Sequence, residues 1–118
     1  MKILIIEDSS FQRALIKDAL KSLELEILEA SSIEEALPIL SSNNILLILL
    51  DLLLPQMDGI EFLKNYKDLI KGAQVIVMTA DIQESTQKEC YELGAKIFIN
   101  KPFKKEELII NIKNLLNI

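Results

Sequence analysis

The 118 residues of this chain are half apolar and carry a formal net charge of −5, so they suffice for one globular domain with a small core. The acidic balance argues against a nucleic-acid-binding surface, and no apolar stretch approaches the roughly 20 residues that a membrane helix needs. Because histidine is absent, Ser-His-Asp and Cys-His nucleophile systems, the usual zinc sites and a phosphohistidine on this chain are excluded.

Apolar strands and amphipathic helices alternate along the first part of the chain. Residues 2–6 indicate a buried strand that ends abruptly at Glu7 and Asp8. A helix follows, with Asp8 or a serine as its N-cap. The apolar positions that have helical spacing in it are Phe11, Ala14, Leu15, Ala19 and Leu23.

A second strand and a second helix come next. Residues 25–28 indicate the strand, and Ser31 with Glu34 has the spacing of a capping box at the start of the helix. Pro38 lies inside the helical pattern, where proline removes a backbone donor and clashes with the preceding turn. We therefore expect a kink or an early helix end near Pro38.

The third predicted strand, residues 45–50, is followed directly by a conspicuous carboxylate, Asp51. Residues 45–54 are aliphatic except for Asp51, and turn residues follow at 55–59. Such a run is typical of a strand that is covered on both faces in a parallel sheet. An ionised Asp51 would be costly there if left dry and unpaired, so water, a cation or a reacting group must stabilise it. The alternative is an Asp at the edge of the core that only caps a turn.

The second part of the chain repeats the alternation. Asp58 can cap a single third helix that runs to about Ile70 and ends at Gly72. Cys90 lies on the apolar side of the fourth helix and is predicted to be inert core. The remaining predicted elements are strand four at 74–78, helix four at about 82–93, strand five at 96–100 and helix five at about 105–116.

Five strands that alternate with five helices predict an α/β fold with a single doubly wound parallel sheet, because each parallel connection needs a crossover helix. Ligands bind such sheets at the carboxyl ends of the strands. With strand order 2-1-3-4-5, Glu7, Asp8 and Asp51 would adjoin and repel one another unless a cation intervened. Magnesium fits best, since it takes carboxylates, waters and phosphate oxygens.

Other polar residues at strand ends suit phosphoryl chemistry. Asp51 would be a nucleophile toward a phosphoryl group and form an aspartyl phosphate. Lys101 would contact one phosphoryl oxygen as a point charge, and Thr79 would offer its hydroxyl to another. Because phosphoryl transfer depends chiefly on positioning and charge neutralisation, little else is required.

Taken together, these residues resemble a response-regulator receiver domain, and in particular the CheY-type regulators that consist of this domain alone. The strand order 2-1-3-4-5, of which CheY is an established example, is implied by this resemblance. So is the expectation that residues 1–118 form one receiver domain with no output domain. The matching blocks are Glu7-Asp8, residues 51–59, Met78-Thr79-Ala80 and Lys101-Pro102-Phe103.

The resemblance implies a role for each residue of the acidic pocket. Glu7 and Asp8 would bind or orient Mg²⁺, together with Asp51 and the backbone carbonyl of Leu53. Asp51 would accept the phosphoryl group from a sensor histidine kinase or a phosphotransfer protein. The same resemblance implies a cis peptide bond between Lys101 and Pro102, which would fix the loop that presents the lysine.

The resemblance also implies a conformational switch. The Thr79 hydroxyl would move toward the phosphate and the Phe98 ring would turn inward, which would remodel the surface of helix 4, strand 5 and helix 5 to bind a protein target. Neither direct nucleic-acid contact nor membrane insertion is expected. Leu53 and Asp81 would border the water route to the phosphoryl group, where Leu53 would limit attack by water and Asp81 would guide it.

Three interpretations remain open. The first is an active phosphoacceptor, which is not an enzyme although it assists its own phosphorylation and dephosphorylation. The second is an unphosphorylated pseudo-receiver, in which Glu7 and Asp8 only favour a helix N-terminus. The third is a metal-dependent phosphatase or a Toprim-like enzyme, but these need an Asp-x-Asp pattern that Asp51 lacks. The single cysteine and the absence of a signal-peptide pattern predict a cytoplasmic protein.

Overall fold

A computed structural model of the chain, which describes residues 1–118, contains one five-stranded parallel sheet with strand order β2-β1-β3-β4-β5. Both the parallel sheet and the order 2-1-3-4-5 are therefore confirmed. Two of the three interior strands, β1 and β3, are almost wholly aliphatic because helices cover both faces of the sheet. The strands are β1 (Lys2–Ile6), β2 (Glu26–Ala30), β3 (Ile45–Leu50), β4 (Gln74–Thr79) and β5 (Ile97–Asn100).

Six helices connect and follow the strands, where five were predicted. The fourth and fifth predicted helices correspond to α5 and α6. None of the helices has the length and apolar character that are needed to cross a lipid bilayer. The helices are α1 (Ser10–Leu20), α2 (Ile33–Ser42), α3 (Gly59–Asn65), α4 (Lys67–Ile70), α5 (Glu84–Glu92) and α6 (Lys105–Leu116), and a 3-10 turn at Lys21–Leu23 follows α1.

The core consists of two layers, one on each face of the sheet. Alternate residues of each strand point to opposite faces, so β1 contributes Leu4 and Ile6 to one layer and Ile3 and Ile5 to the other. Helices α2 to α5 supply the first layer, and α1 with α6 supplies the second. Cys90 is fully buried in the first layer, as predicted from its position on the helix.

The predicted apolar face of α1 is wrong. Phe11 is 68% exposed and Leu15 is 42% exposed, whereas Ile16 and Leu20 are buried against the sheet. The helix has two competing apolar stripes, and they share Ala19, which is buried. Periodicity alone cannot choose between such stripes, because the choice depends on the angle at which the helix leaves the sheet.

The N-cap of α2 lies one residue later than the predicted capping box places it. Ser32 is the N-cap, and its hydroxyl accepts a hydrogen bond from the backbone N–H of Glu35 at 3.1 Å. The Glu35 carboxylate in turn accepts from the backbone N–H and the hydroxyl of Ser31, both at 2.7 Å. Two adjacent serines and two adjacent glutamates make the two registers equivalent in sequence, and the burial of Ile33 decides between them.

Pro38 does not end α2, which continues to Ser42, so the early helix end was a wrong prediction. Pro38 lies on the exposed side of the helix, where water can solvate the carbonyl of Glu34 that has lost its backbone donor. The buried Leu40 lies beyond the proline and packs in the first core layer. This burial favours continuation of the helix past Pro38.

The single helix predicted after Asp58 is two helices. Asp58 is the N-cap of α3, as predicted, and accepts from the backbone N–H of Glu61 at 2.9 Å. Tyr66 leaves the helical region at φ −123° and ψ 35°, and this break separates α3 from α4. The Tyr66 ring packs against Phe62 with 5.9 Å between the centroids, and α4 then buries Ile70.

Two glycines provide a matched test of backbone conformation. Gly94 has φ +107°, a region that residues with a Cβ rarely adopt, while Gly72 has no such requirement. An added Cβ would meet no atom within 4 Å at either position. We expect Gly94→Ala to lower the free energy of unfolding by about 1 kcal/mol and Gly72→Ala to raise it by about 0.5 kcal/mol, because alanine there restricts only the unfolded chain. Urea unfolding of both variants measures this, and equal stabilities would contradict it.

Candidate functional site

Glu7 directly follows β1, and each of its polar groups is hydrogen-bonded. Its backbone N–H donates to the carbonyl of Ala30 on β2 at 3.0 Å, and its own carbonyl accepts from Nη1 of Arg13 at 2.7 Å. One carboxylate oxygen accepts from the backbone N–H of Ser9 at 3.1 Å, and the other accepts from Nζ of Lys101. The side chain is therefore held at the carboxyl end of the sheet although it is only 3% exposed.

Asp51 follows β3 and is held beside Glu7. Its backbone N–H donates to the carbonyl of Ile6 at 3.0 Å, which extends the pairing of β3 with β1 by one residue. Its Oδ1 accepts from the backbone N–H of Leu53 at 3.1 Å, and its Oδ2 accepts from Nζ of Lys101 at 3.0 Å. Both oxygens of this buried carboxylate thus have a donor.

Three carboxylates meet at this point, as the strand order predicts. Glu7, Asp8 and Asp51 each offer an oxygen, and these oxygens lie within 4.8 Å of one another. Glu7 and Asp51 are buried, whereas Asp8 is exposed to solvent. Oxygen donors of this kind suit a hard divalent cation.

The ammonium group of Lys101 is shared between two of these carboxylates. Burial raises the pKa of Glu7 above its usual range, and the hydrogen bond from Lys101 opposes that shift only in part. Burial also disfavours the charged form of Lys101, but its hydrogen bonds to Glu7 and Asp51, together with the negative charges of these carboxylates, outweigh burial and raise its pKa. Lys101 therefore remains a cation in the pocket.

Gly59 allows α3 to begin directly against the backbone of the acidic pocket. A Cβ at this position would lie 2.8 Å from the carbonyl oxygen of Asp51 and 2.9 Å from Cα of Leu52. The backbone N–H of Gly59 also donates to the carbonyl of Leu52 at 3.0 Å. The sequence motif contained this glycine without explaining it, and only the close approach of the two backbones shows why a larger residue does not fit.

Thr79 ends β4 and is fully buried. Its hydroxyl accepts from the backbone N–H of Asp81 at 3.4 Å, and its carbonyl accepts from the backbone N–H of Lys101 at 2.9 Å. The Asp81 carboxylate accepts from the backbone N–H of Gln83 at 3.1 Å and from the hydroxyl of Thr86 at 3.2 Å. Both hydrogen bonds lead toward the start of α5, so Asp81 has a structural role that sequence analysis missed.

The other predicted site residues occupy the surroundings of the pocket. Phe98 is half-buried on β5, where it pairs with Val77 of β4, so it lies one strand away from Thr79. The Leu53 side chain is 57% exposed, and its carbonyl accepts no hydrogen bond from the turns and loops of the chain. The peptide bond between Lys101 and Pro102 is cis, as expected.

Comparison with known sequences identifies the family. The sequence model of the response regulator receiver domain matches residues 3–113. The transcriptional regulatory protein SrrA of Staphylococcus aureus is 39% identical over 115 residues, which are 98% of this chain and 47% of SrrA. The chain thus spans about half the length of this curated relative.

Solved structures agree in fold and in sequence. A CheY-like receiver domain protein from Methanospirillum hungatei has a TM-score of 0.90 and 28% identity, with coverage of 98% of this chain and 93% of that one. A chain of the CheX-CheY-BeF3-Mg²⁺ complex from Borrelia burgdorferi has a TM-score of 0.90 and 31% identity, with coverage of 98% and 89%. The chain belongs to the receiver domain family of two-component response regulators.

Proposed function

We propose that Asp51 accepts a phosphoryl group from a partner histidine kinase or phosphotransfer protein in a Mg²⁺-dependent reaction. The observation that carries this proposal is the buried Asp51 carboxylate, which shares one ammonium group with Glu7 beside a third acid, Asp8. A structural ion pair would need only one carboxylate for each lysine, and the surplus negative charge favours a second cation.

The residues present fit a magnesium ion. The carboxylates of Glu7, Asp8 and Asp51 would hold it together with the carbonyl of Leu53, which has no competing hydrogen-bond donor. When bound, the ion would neutralise charge on phosphoryl oxygens. The Borrelia burgdorferi structure is a CheY complex with CheX, BeF3 and Mg²⁺, and this supports the same chemistry in the present chain.

The phosphoryl transfer itself needs few groups. A carboxylate oxygen of Asp51 attacks phosphorus, the bond from phosphorus to the donor histidine nitrogen breaks, and the released imidazole keeps the electron pair of that bond. Lys101 exchanges its contact with Asp51 for a contact with a phosphoryl oxygen, which lies two bonds beyond the carboxylate oxygen that carries the phosphorus. The buried Thr79 hydroxyl is available as a donor to another phosphoryl oxygen.

We expect one phosphoryl adduct when the protein is incubated with acetyl phosphate and Mg²⁺, followed by intact mass. Chelation of the metal abolishes the adduct because the acidic pocket then lacks its neutralising charge. Asp51→Asn also abolishes it, while Asp58→Asn, a matched change in the adjacent loop, leaves the modification in place. No adduct on the wild-type protein would favour a pseudo-receiver, and sustained hydrolysis of unrelated phosphomonoesters would favour an enzyme.

Lys101 and the metal would each offset the negative charge of the same buried carboxylates, which gives a second prediction. Lys101→Met leaves Glu7 and Asp51 without a cation, so in a chelating buffer the free energy of unfolding should fall by roughly 3 kcal/mol. Added Mg²⁺ should stabilise this variant more than the wild type, because the metal no longer competes with the lysine. Denaturant unfolding with and without Mg²⁺ measures both effects.

Lys96→Met is the control for this prediction, because Lys96 is exposed and forms none of the ion pairs of the chain. It should unfold within about 0.5 kcal/mol of the wild type. Equal stability of the Lys101→Met and Lys96→Met variants in chelating buffer would show that the lysine does not support the acidic pocket.

The proposal includes a change at the surface of α5, β5 and α6, where a protein target would bind. Thr79 ends the strand beside β5, and Phe98 on β5 is only half-buried at the edge of the first core layer. Tyr91 on α5 is 45% exposed and Ile110 on α6 is 58% exposed, which makes them candidates for target contact. Two nearly equal packings of this region would be biased by the phosphoryl group.

We expect beryllium fluoride with Mg²⁺ to shift the amide NMR signals of Phe98 and of α5, β5 and α6 in the wild-type protein. In Thr79→Val, which lacks the hydroxyl but keeps the shape of the side chain, the shifts should be confined to residues around Asp51. Ser85→Ala removes an exposed hydroxyl on α5 and should respond like the wild type. A full response of Thr79→Val would rule out Thr79 as the link.

A further inference from the structure

Arg13 of α1 connects the acidic pocket to strand β2. Its Nη1 donates to the carbonyl of Glu7 at 2.7 Å, and its Nε donates to Oε1 of Glu29 at 3.0 Å. The side chain is only 18% exposed. These two hydrogen bonds use different nitrogens of one planar guanidinium, so the direction of the first depends on the second.

Glu29 is the second hydrogen-bond partner of this arginine. It lies on β2, where it pairs with Ile5 of β1, and its other carboxylate oxygen accepts from Nζ of Lys17 at 2.9 Å. The hydrogen bond from Lys17, with a further one from Arg13, lowers the pKa of Glu29 below its usual range. The carboxylate is therefore ionised at neutral pH and holds two cations of α1.

The carbonyl that Arg13 contacts belongs to the peptide that joins Glu7 to Asp8. Fixing the plane of this peptide restricts ψ of Glu7 and φ of Asp8, and these angles set the directions of both side chains. The Glu7 side chain has its own contacts, but Asp8 is exposed and forms no ion pair. The direction of Asp8 thus depends in part on the backbone that Arg13 holds.

We propose that Arg13, oriented by Glu29, is a positioning residue that aims the carboxylates of Glu7 and Asp8 at the metal. This inference rests on the proposed function, since it assumes that the acidic pocket binds Mg²⁺. Arg13 contacts a backbone carbonyl and not the phosphoryl group, so its effect should appear in metal affinity. Partners that orient metal ligands in this way typically contribute a factor of about 10 to 100 in affinity.

The test compares Arg13→Ala with Lys17→Ala. Both residues lie on α1 and both pair with Glu29, but only Arg13 reaches Glu7. For Arg13→Ala we expect the Mg²⁺ dissociation constant from calorimetry to rise by about tenfold. The Mg²⁺ concentration for half-maximal phosphorylation by acetyl phosphate should rise equally, while the rate at saturating Mg²⁺ stays unchanged. Lys17→Ala should match the wild type in all three quantities.

Two further variants keep the inference testable if Arg13→Ala folds poorly. Arg13→Lys keeps the charge but not the fork of donors, so its Mg²⁺ affinity should remain several-fold below that of the wild type. Full recovery by lysine would mean that charge alone matters and would overturn the positioning role. Glu29→Ala should weaken Mg²⁺ binding in the wild-type background but add nothing to Arg13→Ala, because Glu29 acts through the arginine.

The outcomes separate this inference from the function on which it rests. A wild-type protein that binds no Mg²⁺ and forms no adduct removes the proposed function. If the wild-type protein binds Mg²⁺ and forms the adduct, but Arg13→Ala and Lys17→Ala have the same Mg²⁺ affinity, only the role of Arg13 is rejected. The inference would also be contradicted if Arg13→Ala had a lower phosphorylation rate at saturating Mg²⁺ but an unchanged Mg²⁺ concentration for half-maximal phosphorylation. Such a result would mean that the substitution impairs the phosphoryl transfer or the fraction of folded protein, and not the binding of Mg²⁺.

Discussion

The arrangement of this protein depends on the need to balance buried negative charge at the carboxyl end of a parallel sheet. Glu7 and Asp51 are both buried, and a single ammonium group, from Lys101, donates to both. Removing either partner of such a cluster from water is costly unless its charges are paired. One lysine cannot neutralise these two acids and the nearby Asp8. This excess of negative charge is the physical reason that the pocket suits a divalent cation.

The sheet brings these groups together through its strand order. β1 and β3 are neighbours, so the residues that follow them, Glu7 and Asp51, emerge side by side although they are far apart in the chain. Lys101 follows β5, two strands away from β3, and its backbone N–H donates to the carbonyl of Thr79 at the end of β4. The long lysine side chain then spans the remaining distance to the acids. Gly59 completes the site because only a residue without a side chain allows α3 to approach Asp51 so closely.

Three errors of sequence analysis share one cause. The face that α1 buries, the register of the α2 cap and the break at Tyr66 each depend on how a helix meets the sheet. Local patterns offered two nearly equal choices in each case, and burial of residues such as Ile16 and Ile33 decided between them. By contrast, the bounds of β3 and α6 were predicted correctly, because long apolar runs or stripes leave little choice of phase.

The amino-acid sequence by itself determined the class of fold, the strand-end positions of the acids and the chemistry open to a chain without histidine. These follow from local apolar patterns and from residue types, which need no knowledge of neighbours in space. Only the tertiary structure decided that Lys101 donates to both Glu7 and Asp51. It also decided that Arg13 donates both to the Glu7 carbonyl and to the Glu29 carboxylate. Such contacts join residues from different strands and helices, so they exist only after the sheet and helices have packed, and no spacing along the chain reveals them.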